Sequence, residues 1–464
     1  MTLEPLARAL RSVIPDPFVI AIFLTITALG VGIAHGMAAG DLDVMALVDA
    51  WVSGYVPPDA PPGTKALGGL WSLLPFAMQM CLILVTGFVV ASTRPVRWLI
   101  DRLAAIPTGT RSAIVVIGCA AMALALVNWG LGLIGGALLA REVGRALKAR
   151  GVAVHYPLLA AAGYLGLAVW HGGLSGSAPL KVTSRDGLND VLGGVLGGQI
   201  DVMSLSDTIF SLRNLVVTPL AGIAMLGVLL LLVPSDPARF RQAPDVRDDR
   251  SNADDDAAPG AAGWLERTPW ANLALAALML AWIVPWLVRG GLMGLTPDSM
   301  NLLFLALGLV LAGGPAAYMR HAAEGARACA GIIIQFPLYG GILGLLVAGG
   351  VVGVLQGMLP TSGSGLSLAT FLSAGLLNLF VPSGGGQWAL QGPLVMQVAA
   401  EHGIEPGRVV LALAWGDQWT NLFQPFWALP LLGITGTRAG DLLGPTLLAG
   451  VAAGIVFALG AAIG

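Results

Sequence analysis

The chain of 464 residues is 56% hydrophobic and only 11% charged, with a mean hydropathy of +0.81, whereas an ordinary soluble domain carries roughly 25% charged residues. Those figures exclude a soluble globular protein, and a net charge of −2 leaves no basic surface for nucleic acid. The 64 glycines follow no collagen period and fall inside apolar segments, as they do in polytopic helical membrane proteins.

Spanning helices need about 20 apolar residues, and Lys/Arg in short loops mark the cytoplasmic side. In chain order the pattern predicts spans at 17–36 and 67–92, the first retained rather than cleaved as a signal peptide, with Asp41, Asp43, Asp49 and Asp59 between them. A basic loop follows with Arg94, Arg97, Arg102 and Arg111. The apolar run from 112 then leads into a second basic cluster, Arg141, Arg145, Lys148 and Arg150. Both ends of the segment 112–148 therefore lie inside, and its apolar part, 112–140, is too short for two full spans. A re-entrant helical hairpin is expected, with its tip at Asn128, Trp129 and Gly130.

A broken span, 156–184, runs outward and 212–233 returns; the acidic run DVRDDRSNADDDAAPG then lies in a mobile cytoplasmic linker, 234–268. A connecting helix and loop occupy 269–298. Beyond them come a span at 299–314, a basic amphipathic stretch at 315–327 and a span at 328–350. A second hairpin at 366–400 has its tip in VPSGGGQW, a second broken span covers 408–434, and a closing span covers 441–463. Of the 24 Lys/Arg, this topology leaves outside only Lys65, Lys181, Arg185, Arg213, Arg289 and Arg408, and it puts the N-terminus in the cytoplasm.

The halves 1–233 and 299–464 repeat one order in opposite orientation: span, amphipathic stretch, span with a mid-helix proline (Pro75, Pro337), hairpin, broken span, closing span. Inverted repeats place a substrate at the midplane between discontinuous helices. The expected fold is thus an all-α polytopic inverted-repeat transporter with two re-entrant hairpins and two broken helices. The breaks, VWHGGLSGSAPL and AWGDQWTNLFQPF, align Trp170 with Trp415 and Ser175 with Thr420. Glycine and proline there free backbone groups that need a ligand or water. Half-helix N-termini suit a carboxylate, while freed carbonyls and hydroxyl or amide oxygens suit a cation.

The candidate ligands are Asn128, Trp129, Gly130, Ser175 and Ser177 in the first half, and Ser383, Gly384, Gly385, Gly386, Gln387, Trp388, Thr420 and Asn421 in the second. Asn128 serves either as a contact or as a helix cap. Trp388 and Trp419 suit an apolar wall for an alkyl tail. His171 and Asp417 are the ionisable groups inside the breaks and are candidates for ion coupling, with His171 also able to face a carboxylate. A bond to backbone groups is the plainer role for each. Cys81, Cys119 and Cys329 read as core residues; no metal-ligand spacing, GxSxG or Walker A sequence occurs, so neither an enzyme nor an ATP-driven pump is indicated, and no cofactor is called for.

Four stretches carry a resemblance: VNWGLGLIGGALLAREVGR, VHYPLLAAAGYLGLAVWHGGLSGSAPL, NLFVPSGGGQWALQGP and WGDQWTNLFQPFWALPLLGITG. They resemble the bacterial short-chain fatty acid transporter family, similar in turn to the wider ion transporter superfamily. The resemblance implies transport of short monocarboxylates such as butyrate or acetoacetate across the cytoplasmic membrane. It also implies an elevator-type motion of a transport domain against a scaffold, and a homodimer in the lipid bilayer. The Ser-Asn-Thr hairpin signatures of sodium-coupled dicarboxylate carriers are missing, which favours a proton over sodium. The alternatives left open are a sodium-coupled carrier of C4-dicarboxylates, a membrane sensor and a passive channel.

Overall fold

A computed structural model of the chain describes residues 15–56, 66–185, 187–188, 200–243, 260–290, 297–350, 360, 362–382 and 384–463. The expectations that fall on Ser383, on the N-terminus up to residue 14, on Asp59 and Lys65, and on the acidic run 244–259 lie outside the described residues. Everything described is helical or irregular apart from one bridge between Tyr55 and Leu67. Among the described residues seven helices are long and apolar enough to cross a membrane, or eight when the bent pair 156–168 and 170–181 is counted as one span.

The first half begins with α1 (Pro17–Ala39), where the Asp16 carboxylate accepts the Phe18 N–H at 2.9 Å and Pro17 starts the helix. Next come α2 (Val44–Ser53), α3 (Leu74–Ser92) and α4 (Arg94–Ala105). The segment read as a basic loop is thus largely the helix α4. Its Val96, Ile100 and Leu103 are half-buried while Arg94 and Arg97 are exposed, so the charges belong to one face of an amphipathic helix. Pro75 sits in the first turn of α3 and not mid-helix, a position that needs no N–H; the irregular residues 66–73 precede it.

Two antiparallel helices follow, α5 (Thr110–Val127) and α6 (Trp129–Ala149), joined by Asn128 alone. They hold 18 and 21 residues, about 27 and 31 Å at 1.5 Å per residue. The arm α6 continues through the basic cluster, where Glu142 pairs with Arg141 and Arg145, so both arms are longer than the apolar run suggested. The span 156–184 is more fragmented than a helix with one break. It consists of α7 (Tyr156–Tyr164), two 3-10 turns at Leu165–Ala168 and Trp170–Gly172, and the short α8 (Ser177–Lys181), bent by 42°. On α6, a Cβ at Gly136 would strike the Gly163 carbonyl of α7 and come within 2.9 Å of Ala121 on α5. Only glycine lets the backbones of α6 and α7 meet so closely, with the Ala121 side chain of α5 against them. α9 (Leu212–Leu231) ends this half.

The helix α10 (Gly260–Arg267) lies within what was read as linker, and α11 (Trp270–Gly290) is the connecting helix. Then come α12 (Pro297–Leu311), α13 (Pro315–Ala326), and α14 (Ala330–Ala348) with Pro337 in its interior. α15 (Gly363–Asn378) and α16 (Gly384–Glu401) form the second hairpin; α17 (Pro406–Thr420), an irregular stretch, and α18 (Ala428–Thr435) form the second broken span; α19 (Ala439–Ala462) closes the chain. The two breaks are offset. Trp170 lies within its break, whereas Trp415 lies inside intact α17, whose break opens at Asn421.

Packing between the halves is reciprocal. α14 packs against α1 and α2, while α3 packs against α12 and α13, and α9 packs against α19. Each hairpin lies on the broken span of its own half, α5 and α6 on α7, α15 and α16 on α17. Cys81 and Cys329 are buried as expected, with the Cys329 thiol 3.7 Å from the Cys81 carbonyl oxygen. Cys119 is exposed on α5 and is not a core residue.

Candidate functional site

The chemistry gathers around Trp170 and His171 in the first break. His171 is fully buried, and its Nε2 is in direct contact with Oδ2 of Asp417 on α17, itself 1% exposed. The backbone N–H of Ser177 donates to His171 Nδ1 at 3.2 Å, and the backbone N–H of His171 donates to Gln418 Oε1 at 2.9 Å. A ring nitrogen that accepts carries no proton. Nδ1 therefore carries no proton, and Nε2 is the nitrogen turned to the Asp417 carboxyl.

Each hairpin tip reaches one member of this neighbouring couple. The tip of α15–α16 places Gly384 so close that a Cβ there would lie 2.6 Å from His171 Nε2 and 2.8 Å from Asp417 Oδ2. Gly385 faces open space. The tip of α5–α6 brings the Trp129 ring to 6.3 Å from Trp170 and 5.1 Å from Trp427, and the Trp170 and His171 rings lie 3.7 Å apart. The stacked rings of Phe336 and Phe426, 4.0 Å apart, continue this apolar wall to α14.

Several predicted polar side chains are engaged within the fold. Asn128 Oδ1 accepts the N–H groups of Gly130 at 2.9 Å and Leu131 at 3.3 Å, capping α6, and Ser175 Oγ accepts the Trp129 N–H at 3.0 Å. Gln387 donates to the Ala374 carbonyl at 2.8 Å. Thr420 donates to the Gly375 carbonyl at 2.9 Å, and Asn421 donates to the Leu167 carbonyl at 3.0 Å, tying the two breaks together. Trp388 is buried in a cluster with Ala178 and Val182 beneath the second hairpin. Trp419 donates to the Gly450 carbonyl at 2.7 Å, on the α19 side. Ser177 enters the site through its backbone N–H bond to His171, and Gly386 follows Gly385 in the first turn of α16.

Sequence reading misses Asn378 and Asn214 and ranks Gln418 below Thr420 and Asn421. Asn378, fully buried at the end of α15, donates to the Asp417 carbonyl at 2.7 Å and to Thr420 Oγ1 and Asn421 Oδ1 at 2.9 Å. Gln418 holds the His171 backbone. Asn214 on α9 donates to the Gly172 carbonyl at 2.9 Å and accepts from the Trp415 indole at 3.2 Å. The available signal was the cost of a lone amide in an apolar run, which Asn378 shows in GLLNLF. A separate cavity of about 640 Å³, lined by residues including Arg327, Gln335, Leu429 and Arg438, opens between α14 and α18. Among the described residues no group of three His, Cys, Asp or Glu is placed to hold a metal ion.

The model of the family described as short chain fatty acid transporter matches residues 4–463. The chain belongs to the short-chain fatty acid transporter family. Two relatives, from Escherichia coli (strain K12) and Haemophilus influenzae (strain ATCC 51907 / DSM 11121 / KW20 / Rd), are each 32% identical over 457 residues, covering 96% of either chain. Both carry the provisional name short-chain fatty acid transporter. Among solved structures, the YdaH transporter of Alcanivorax borkumensis matches with a TM-score of 0.42 at 14% identity, covering 97% of this chain and 98% of that one. MtrF of Neisseria gonorrhoeae, from a class of antimetabolite efflux pumps, matches with a TM-score of 0.38 at 14% identity, covering 98% and 97%. Those two likenesses are too loose to carry an argument. Members of this family are transporters and not enzymes, and this protein is a multi-pass membrane protein.

Proposed function

We propose that the protein is a secondary active carrier of short monocarboxylates such as butyrate or acetoacetate, driven by protons across the bacterial cytoplasmic membrane. The observation that supports this reading is the buried His171–Asp417 pair with the Ser177 N–H on Nδ1. In this reading the pair takes up a proton together with the substrate, which makes its charge less negative by one. A carboxylate bound beside it adds a charge that a low-dielectric site tolerates poorly. Substrate and proton therefore favour each other's binding, and the coupling is reciprocal. The substrate belongs where the tips meet Trp170 and His171, because Asn128 and Gln387 are occupied in capping and packing.

The reciprocal packing of the halves supports an inverted repeat. In this reading α1–α3 and α12–α14 are the scaffold of a homodimer, against which the hairpins and broken spans move. The N-terminus is cytoplasmic.

One observation favours sodium instead: Asn378 Oδ1, Gln387 Oε1 and Gln424 Oε1 are buried without a donor among the described residues, while the nitrogen of each amide is engaged. Surplus oxygens suit a cation. A C4-dicarboxylate is less well served, since the donors that surround His171 and Asp417 are amides and backbone N–H groups.

Uptake of radiolabelled butyrate into proteoliposomes, with proton and sodium gradients imposed separately, tests the proposal. Protein-dependent accumulation under the proton gradient alone is expected. Accumulation under sodium alone would transfer the coupling to the amide oxygens, and no accumulation under either would remove the substrate assignment.

A further inference from the structure

Two nitrogen donors next to the His171–Asp417 pair have no acceptor among the described residues: Trp170 Nε1 and Gln418 Nε2. Trp170 is 5% exposed and Gln418 is fully buried. Their residues flank the pair in sequence, Trp170 before His171 and Gln418 after Asp417, and Gln418 Oε1 bonds the His171 backbone. Because Oε1 accepts that N–H, the orientation of the carboxamide is set and the free end is the donor. The indole has only a donor to offer. A buried N–H without an acceptor costs about 1–3 kcal/mol, and here two belong to residues that each touch His171. The complementary ligand presents acceptors only, which describes a carboxylate.

We infer that Trp170 and Gln418 receive the carboxylate of the substrate, an assignment that rests on the transport reading above. The alkyl tail then lies along the wall formed by Trp129, Trp427 and Phe426, whose rings adjoin Trp170 in series. The anion is held by neutral donors and not by a guanidinium, so its charge is balanced by the proton that Asp417 takes up. On this assignment a monocarboxylate suits the site and enters it together with that proton.

The test uses Trp170→Phe, which keeps the ring and removes the N–H, and Gln418→Glu, which keeps an acceptor for His171 and removes the donor. Half-saturation is measured in proteoliposomes for acetate, butyrate and hexanoate under one fixed proton gradient. The expected result is a rise of roughly 10- to 100-fold in each variant, by the same factor for all three acids, because the contact is to the carboxylate they share. Unchanged half-saturation in both variants, as expected if a water satisfies the donors, overturns the assignment. So does a rise confined to hexanoate, which would make Trp170 a wall for the tail. Wild-type protein that concentrates none of the acids refutes the transport reading itself, a separate outcome from active wild type with unaltered variants.

Discussion

The two hairpin tips solve the same problem, turning a chain between two helices, by different means. The first turns on Asn128 and satisfies its donors locally: Asn128 Oδ1 takes the Gly130 and Leu131 N–H groups, and Ser175 takes that of Trp129. The second opens with consecutive glycines and brings bare backbone against a titratable pair. The first tip is held by hydrogen bonds that any bound solute would have to break. The second presents main chain where protonation changes charge. The two tips thus differ in build: the first is closed by its own caps, and the second lays glycine backbone against His171 and Asp417.

Four substitutions press on that division. Asp417→Asn mimics the protonated carboxyl permanently. It is expected to abolish proton-driven accumulation while butyrate counterflow persists, removing a coupling of about 5- to 150-fold; intact accumulation would place the coupling elsewhere. Gly384→Ala puts a methyl 2.6 Å from His171 Nε2, and forcing atoms into such a site costs about 1–3 kcal/mol. Uptake should fall about tenfold or more, whereas Gly385→Ala, facing open space, should transport normally. Equal effects at the two glycines would show that the second tip is merely tightly packed.

Effects at the first tip should appear in stability rather than coupling. Ser175→Ala strands the Trp129 N–H and is expected to lower stability by about 1–3 kcal/mol, read as a lower Tm in detergent with the proton-to-butyrate ratio unchanged. Asn128→Ala removes a cap worth about 1 kcal/mol, and Asn128→Asp, which keeps an acceptor, should restore it. A changed ratio in either would make the first tip part of the coupling machinery.

The apolar spans were legible because hydrocarbon demands long uncharged runs, and Asn128 was legible because a polar residue between two such runs must serve backbone groups. α4 was not, because arginines read as topological markers hide the Val96, Ile100, Leu103 stripe that makes the segment a helix. The contact of His171 with Asp417 joins residues far apart in the chain, and no local pattern specifies which imidazole nitrogen accepts. Asn378 was passed over for the same reason: its partners Thr420 and Asn421 come from another helix, and its own neighbours, Leu376, Leu377 and Leu379, look like ordinary wall.

The close approach of α5, α6 and α7 at Gly136 and Gly163 has a mechanical consequence. Helices separated by side chains can slide by exchanging rotamers, but backbones in direct contact have nothing to exchange. Sliding of α6 along α7 therefore requires the two helices to part first. A methyl group at either glycine would force α6 away from α7, and with it the tip that carries Trp129.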